Sequence, residues 1–256
     1  MPEHVAIVTG AAGDIGQAIA RRLLGDHDRV VLADRDLAGA EAVAGELGPK
    51  ALAVQVDVTD PDSCARLADQ VRAAGQAVTL VNNAGAALGP SLHATGPESW
   101  RADISLNLDA AYYVFQALAD QLTAQPSAVV NIASVNGMSV FGHPAYSAAK
   151  AGMIHLTRLI AVEYGRYGLR CNAIAPGTVR TRAWQARAEA NPAVFEEAAA
   201  HYPLGRIVNP VDVAETVGFL ASPLAAAITG TLLPVDCGLT AGIPALARTF
   251  TQSRDY

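Results

Sequence analysis

Charge is scarce in this 256-residue sequence: 16% of the residues are Asp, Glu, Lys or Arg, while 51% are hydrophobic. That balance excludes a disordered chain and predicts a large buried core. Positive charge is the scarcer sign. Eighteen Lys and Arg stand against twenty-four Asp and Glu, for a net charge of −6. No basic stripe or patch breaks the pattern, so nucleic acid is not an expected partner. Cysteine is nearly absent. Cys64, Cys171 and Cys237 are odd in number and far apart, which gives neither a disulfide framework nor a Cys-x-x-Cys pair and fits a reducing, cytoplasmic setting. His93, His143, His155 and His201 show no HExxH-like spacing, so no metal is expected. A long apolar run is missing too. Met1-Pro2-Glu3-His4 lacks a basic n-region, and Val5 to Val8 is too short for a signal or a membrane span, which predicts a soluble, unexported protein with no membrane partner. Linkers, low-complexity tracts and repeats are lacking as well, so residues 1–256 read as one domain.

What is present is alternation. Short β-branched runs at Val5–Thr9, Val30–Ala33, Ala51–Val58, Val78–Asn82, Val129–Ser134, Leu169–Ala175 and Leu232–Val235 are separated by Ala-rich helical stretches. Strand–helix alternation of this kind predicts an α/β fold with a parallel sheet. The runs are apolar at consecutive positions, as strands covered by helices on both faces must be, so the expected architecture is a Rossmann-like doubly wound, seven-stranded sheet. Asp60-Pro61 and Asn209-Pro210 predict helix starts, each with an Asx cap before a proline whose missing N–H costs nothing there. Between Pro176 and Thr231 no strand is expected, and Arg180 to Tyr202, rich in Ala, Arg and Glu, predicts a helical flap at about 180–202 over the site.

Two patterns carry chemistry. Gly10, Gly13 and Gly16 leave the first strand and open a helix, where glycines let backbone amides approach a pyrophosphate at the helix N-terminus. Asp34 closes the second strand twenty-four residues after Gly10. A carboxylate there accepts hydrogen bonds from ribose hydroxyls and repels a 2′-phosphate, so NAD is expected over NADP, although Arg35 follows directly. Tyr146 and Lys150 are four residues apart and share one helix face, so the ammonium can lie beneath the phenol and lower a pKa that is otherwise about 10. Together these suggest hydride transfer with Tyr146 as proton donor or acceptor.

In these and further motifs the chain resembles the short-chain dehydrogenase/reductase family over almost its whole length. Asn82-Asn83-Ala84-Gly85 follows the fourth strand, Asp57-Val58 matches the family's acidic site at the third strand, and Pro176-Gly177-Thr178-Val179-Arg180-Thr181 resembles the loop at the nicotinamide. The resemblance implies a catalytic set of Asn107, Ser134, Tyr146 and Lys150. It implies cofactor contacts from Gly10, Gly13, Asp14, Ile15, Gly16, Asp34, Asp57, Val58, Asn83, Ala84, Gly85, Pro176, Gly177, Val179 and Thr181, with Tyr146 and Lys150 contributing from the catalytic set. Ser134 would hold the substrate oxygen, Lys150 would also anchor the nicotinamide ribose, and Asn107 would hold a water linking Lys150 to solvent. A homotetramer is implied, with Glu98–Leu122 and Tyr146–Tyr167 forming one interface. Asp14 departs from the family's glycine loop, which usually has a second glycine there. A carboxylate facing a pyrophosphate is repelled, so Asp14 is expected to point outward or cap its helix.

The resulting expectation is an oxidoreductase acting on a secondary alcohol or ketone. His93, Asn136, Met138, His143 and Trp184 are candidates to line the substrate pocket. Arg180, Arg182 and Arg187 read as an exposed charged helix face in preference to an anion site. Reduction of a carrier-bound 3-oxoacyl group is the alternative, but Leu122–Ala128 offers no basic docking patch for an acidic carrier. A non-catalytic NAD sensor of the same fold is the alternative from another class, disfavoured by the intact Asn107, Ser134, Tyr146 and Lys150.

Overall fold

The computed structural model describes residues 3–253 and 255, except for the side chains of 185–187. Met1 and Pro2 of the N-terminal stretch lie outside the described residues. Among these, the expected seven strands are present: β1 (His4–Thr9), β2 (Arg29–Asp34), β3 (Ala51–Gln55), β4 (Gln76–Asn82), β5 (Ser127–Ile132), β6 (Leu169–Pro176) and β7 (Leu232–Val235). They form one parallel sheet in the order β3-β2-β1-β4-β5-β6-β7. The helices are α1 (Asp14–Leu23), α2 (Leu37–Leu47), α3 (Pro61–Ala74), α4 (Pro97–Ile104), α5 (Ala110–Leu122), α6 (Pro144–Tyr164), α7 (Gln185–Ala190), α8 (Val194–Ala199), α9 (Pro210–Ala221) and α10 (Pro244–Thr251).

The period of two along each strand splits the core into two layers. Val5, Ile7, Val31 and Leu80 pack with Leu67, Leu118 and Ile160 of α3, α5 and α6. Ala6, Val8, Leu32 and Val81 pack with Ile19, Val43 and Val217 of α1, α2 and α9 on the opposite face. This is the doubly wound arrangement that the apolar runs predict. The strand order reverses between β1 and β4, which opens a crevice at their carboxyl ends.

Both predicted helix starts are present. The Asp60 side chain accepts from Asp62 N at 3.0 Å, and Asp212 reaches back to Asn209 N at 2.8 Å. Several boundaries differ from expectation. The third strand stops at Gln55 because Asp57 folds back on Thr59, accepting from its amide at 2.9 Å and its hydroxyl at 2.7 Å. The fifth stops at Ile132, because Ser134 caps a 3₁₀ turn over Val135–Gly137. The stretch expected as one helix from Glu98 to Leu122 is broken by a π-helical turn at Ser105–Asp109. There Asn107 Nδ2 donates to the Asp103 carbonyl at 2.9 Å, occupying the acceptor that an α-helical ladder would use. Within the expected flap lie a 3₁₀ turn at Arg182–Trp184 and the short α7 and α8.

Candidate active site

A cavity of about 880 Å³ lies at the carboxyl ends of β1, β2 and β4 and extends under Thr181–Ala183 of the flap. Its floor is backbone. Gly10 has φ +65°, and a Cβ there would lie 2.9 Å from Ala84 Cα; one on Gly16 would lie 2.7 Å from Ala11 Cα. These glycines therefore let α1 and the segment after β4 approach the end of β1 closely. Gly13 stands at the N-cap of α1 without a side-chain hydrogen bond to the helix, so no cap occupies the first-turn amides beside the cavity, as an anionic ligand requires. Asn83 locks the floor: its side-chain amide donates to Thr9 O at 2.9 Å and Gly10 O at 3.1 Å.

Asp34 borders the cavity beside Arg35. Its carboxylate accepts from Ala12 N at 2.9 Å and Asp36 N at 3.0 Å, which fixes its direction and leaves lone pairs toward the cavity. Asp57 and Val58 line the same end. The hydrogen bonds from Thr59 hold the Asp57 carboxyl below the usual carboxylate range. The chemistry and volume of this cradle suit a dinucleotide.

Beside the cradle the structure brings together Asn107, Ser134, Tyr146 and Lys150. The Lys150 ammonium lies 5.5 Å from the centre of the Tyr146 ring and donates to Ile132 O at 2.8 Å. Ser134 is within hydrogen-bonding reach of the phenol, and its Oγ accepts from Asn136 N at 3.1 Å. Asn107 is fully buried. Its Nδ2 donates to Ala86 O at 2.7 Å, whereas its Oδ1 has no protein donor. A Cβ on Gly85 would lie 2.7 Å from that Oδ1 and 3.3 Å from Lys150 Nζ. Gly85, which lines the cavity, thus keeps open the space where the two polar atoms face each other.

The electrostatics correct one expectation. The Tyr146 pKa lies above its ordinary value: burial is the main cause, the Ser134 hydrogen bond opposes it, and the negative charge of Asp103 adds to it. Lys150, 2% exposed, is itself lowered to about 7 by burial. Burial thus works against the very charge that was expected to lower the phenol pKa.

Of the expected cofactor residues, Gly10, Gly13, Asp14, Ile15, Gly16 and Asp34 line the cavity, as do Asp57, Val58, Asn83, Ala84, Gly85 and Thr181. Pro176, Gly177 and Val179 do not, nor do Tyr146 and Lys150, which stand beside it. The Val179 side chain is buried in the core against Val208, and Gly177 packs on Tyr202, whose hydroxyl accepts from Thr178 N at 2.8 Å. Asp14 is the first residue of α1 and is paired with Arg182, with Nε 2.5 Å from its Oδ1. Arg182 is exposed, as expected, but lies on a 3₁₀ turn and carries this ion pair. Arg180 stacks on Phe195 at 4.3 Å, and the Arg187 side chain lies outside the described residues.

The substrate candidates divide. Met138 is 40% exposed on the loop between Ser134 and Tyr146, and His93 is exposed on a turn. Asn136 is engaged in loop structure through Gly142 O at 3.0 Å. His143, left-handed at φ 52°, ties that loop to Gly89 O through Nδ1 at 3.0 Å. Trp184 packs on Phe195. Sequence reasoning missed Asp103, buried and accepting from Leu88 N at 3.2 Å and Gly89 N at 3.4 Å; its position one helical turn before Asn107 was the available signal. It missed Gly137 too, where a Cβ would lie 2.8 Å from the Lys150 carbonyl carbon. Among the described residues no His, Cys, Asp and Glu side chains group as metal ligands, and no helix is long and apolar enough to cross a membrane.

A family model described as enoyl-(acyl carrier protein) reductase matches residues 10–240. An uncharacterized oxidoreductase of Schizosaccharomyces pombe is 41% identical over 95% of this chain and 93% of its own length. Cis-4-hydroxycyclohexanecarboxylate dehydrogenase of Sinomonas cyclohexanicum is 41% identical over 93% of this chain and 97% of its own. Among solved structures, an oxidoreductase of the short chain dehydrogenase/reductase family from Burkholderia thailandensis superposes with a TM-score of 0.93 at 46% identity, covering all of both chains.

Proposed function

Because the chain belongs to the short-chain dehydrogenase/reductase family, we propose that it is an NAD-dependent dehydrogenase that interconverts a secondary alcohol and its ketone, with Tyr146 moving the proton. The observation that carries this reading is the meeting of Ser134, Tyr146 and Lys150 at the edge of a dinucleotide-sized cradle. Gly10, Gly13 and Gly16 would hold the diphosphate through backbone amides, and Asp34 the adenosine ribose. A bound nicotinamide supplies the hydride acceptor or donor.

Ser134 orients the substrate oxygen by donating a hydrogen bond to it. Tyr146 gives its proton to that oxygen as a ketone is reduced and removes it as an alcohol is oxidised, when the substrate carbon loses a hydride and the C–O bond becomes C=O. A raised phenol pKa suits the donor at neutrality and makes oxidation faster as the pH rises toward that pKa. Asn107 Oδ1 and Lys150 Nζ, facing each other across the space beside Gly85, would carry the replacement proton through a water. Thr181–Ala183 form the flap edge of the cavity and would close over the nicotinamide. The relative acting on a hydroxycyclohexanecarboxylate supports a CH–OH substrate, and the exposed Leu88, Leu92, Met138, Val140 and Phe141 favour an apolar skeleton around that alcohol.

The reading includes a homotetramer in a cytoplasmic setting. Tyr112 of α5 and Val162 of α6, 44% and 86% exposed, belong to the faces expected to meet; sedimentation of a monomer would remove that element alone. The function is tested by offering cyclic alcohols, polyols, sugars, hydroxy acids and steroids with NAD or NADP at mildly alkaline pH, following reduced-cofactor absorbance. Oxidation of at least one secondary alcohol, faster with NAD, is expected. Binding of NAD without turnover across the panel would favour a sensor instead.

A further inference from the structure

Asp14 stands one residue past Gly13, in the first turn beside the cavity. Arg182 opens the flap's 3₁₀ turn. Two bonds join them across the cavity mouth, Arg182 Nε to Asp14 Oδ1 at 2.5 Å and Arg182 N to Asp14 Oδ2 at 2.5 Å, and a third ties Arg182 Nη2 to Ala12 O at 3.3 Å. Both residues line the cavity. The carboxylate is thus shared between the guanidinium and a backbone amide of the flap, and the flap is fastened directly to the glycine loop.

A carboxylate at this place is a problem for any diphosphate ligand. Like charges a few ångströms apart repel, and the penalty depends on whether a counter-charge is held beside them. Arg182 supplies that counter-charge. Its side chain is 66% exposed and that of Asp14 is 20% exposed, so the pair is weak enough to open and re-form as ligand enters.

We propose that Arg182 is a positioning residue that neutralises Asp14 when the cradle holds its dinucleotide, and that this pair latches the flap to the glycine loop. The inference rests on the cradle reading above. It assigns Arg182 an effect on nucleotide affinity that runs through Asp14. Removing Arg182 exposes the carboxylate to the diphosphate; removing the carboxylate makes Arg182 dispensable for affinity. Asp34 and Arg35, which border the same cavity from the end of β2, are unchanged in either variant.

The test is a double-mutant cycle read by NADH binding, followed by protein fluorescence or calorimetry, on the full chain as wild type, Arg182→Ala, Asp14→Asn and the double variant. Arg182→Ala should raise the Kd about tenfold, the size expected of an unmasked charge near a diphosphate at partial exposure. The double variant should bind within about twofold of Asp14→Asn. Equal weakening by Arg182→Ala in both backgrounds would mean that the guanidinium grips the ligand directly, and would overturn the proposal, as would no effect in the wild-type background. Amide exchange over residues 181–184 of the free protein should quicken in either single variant and no further in the double; unchanged exchange overturns the latch. If the wild type binds neither NADH nor NADPH, the cradle reading itself fails and takes this inference with it. Nucleotide binding with an additive cycle leaves the cradle reading standing and overturns this inference alone.

Discussion

The cavity floor and the loops beside it are built from different materials. Toward β1, β2 and β4 the surface is backbone brought close by Gly10 and Gly16, with Asn83 pinning it and Asp34 fixed by two amides. The loops at 88–92 and 138–143, of which Leu88 lines the cavity, carry exposed apolar side chains: Leu92 is 77% exposed and Val140 94%. The first side has almost no freedom, because a single added carbon would strike main chain. The second can change residue by residue at little cost to folding. A surface of the first kind fixes one common ligand, whereas one of the second kind sets which substrate is accepted.

The sharpest way to break this contrast is to add a carbon on the rigid side. Gly16→Ala puts a Cβ against Gly10 O and 2.7 Å from Ala11 Cα. It should destabilise the fold by about 1–3 kcal/mol in thermal or denaturant melts and reduce NAD affinity by more than tenfold. A silent Gly16→Ala would show that the floor is not close-packed. Next in size, Asp34→Ala should cut the preference for NAD over NADP by about tenfold, since it removes both a ribose acceptor and a charge that repels a 2′-phosphate; the ratio of Kd values for the two nucleotides is the readout.

The buried Lys150 gives a smaller, pH-dependent effect. Its folded pKa of about 7 lies below its ordinary value of 10.5, so between these the unfolded chain binds the extra proton and stability rises with pH. Above about pH 9 unfolding also releases protons from Cys64 and Cys171, whose thiols burial pushes up, and their contribution falls as the pH rises. The clean window is therefore about pH 7 to 9, where the wild type should gain at most about 1.4 kcal/mol per pH unit and Lys150→Met should flatten the slope. Equal slopes in the two proteins would show that Lys150 is not the group responsible. The smallest effect belongs to the apolar side. Val140→Ala should leave stability within about 0.5 kcal/mol and change KM among alcohols while NAD affinity stays the same.

The same contrast explains what was legible in the sequence. Strands, the glycine turn and two helix starts were readable because each depends on a local property: consecutive apolar runs, a glycine where no Cβ fits, an Asx before proline. Asn107, Ser134, Tyr146 and Lys150, which the structure brings together, stood out as candidates through motif order. Their electrostatics were not, because the Tyr146 pKa is decided chiefly by burial, with Asp103 adding to it, and burial is set only by the fold. The π turn at Ser105–Asp109 was hidden for a similar reason: it depends on where the Asn107 side chain finds acceptors. Val179 read as a cofactor contact and is core, since its place was set by pairing with Val208, twenty-nine residues away in a stretch without a predicted strand. Asp14 stood out as a departure from its motif, but its partner Arg182 lies 168 residues away and only the fold brings the two together.

The most direct test of the central claim is Tyr146→Phe, assayed for turnover of an accepted alcohol and, separately, for NAD affinity. Loss of proton transfer at a positioned acid–base group should lower kcat by about 10²–10⁴-fold, while the Kd for NAD stays within about twofold because only a hydroxyl outside the cradle floor is removed. Substantial residual turnover at unchanged NAD affinity would contradict the assignment of Tyr146 as the group that moves the proton.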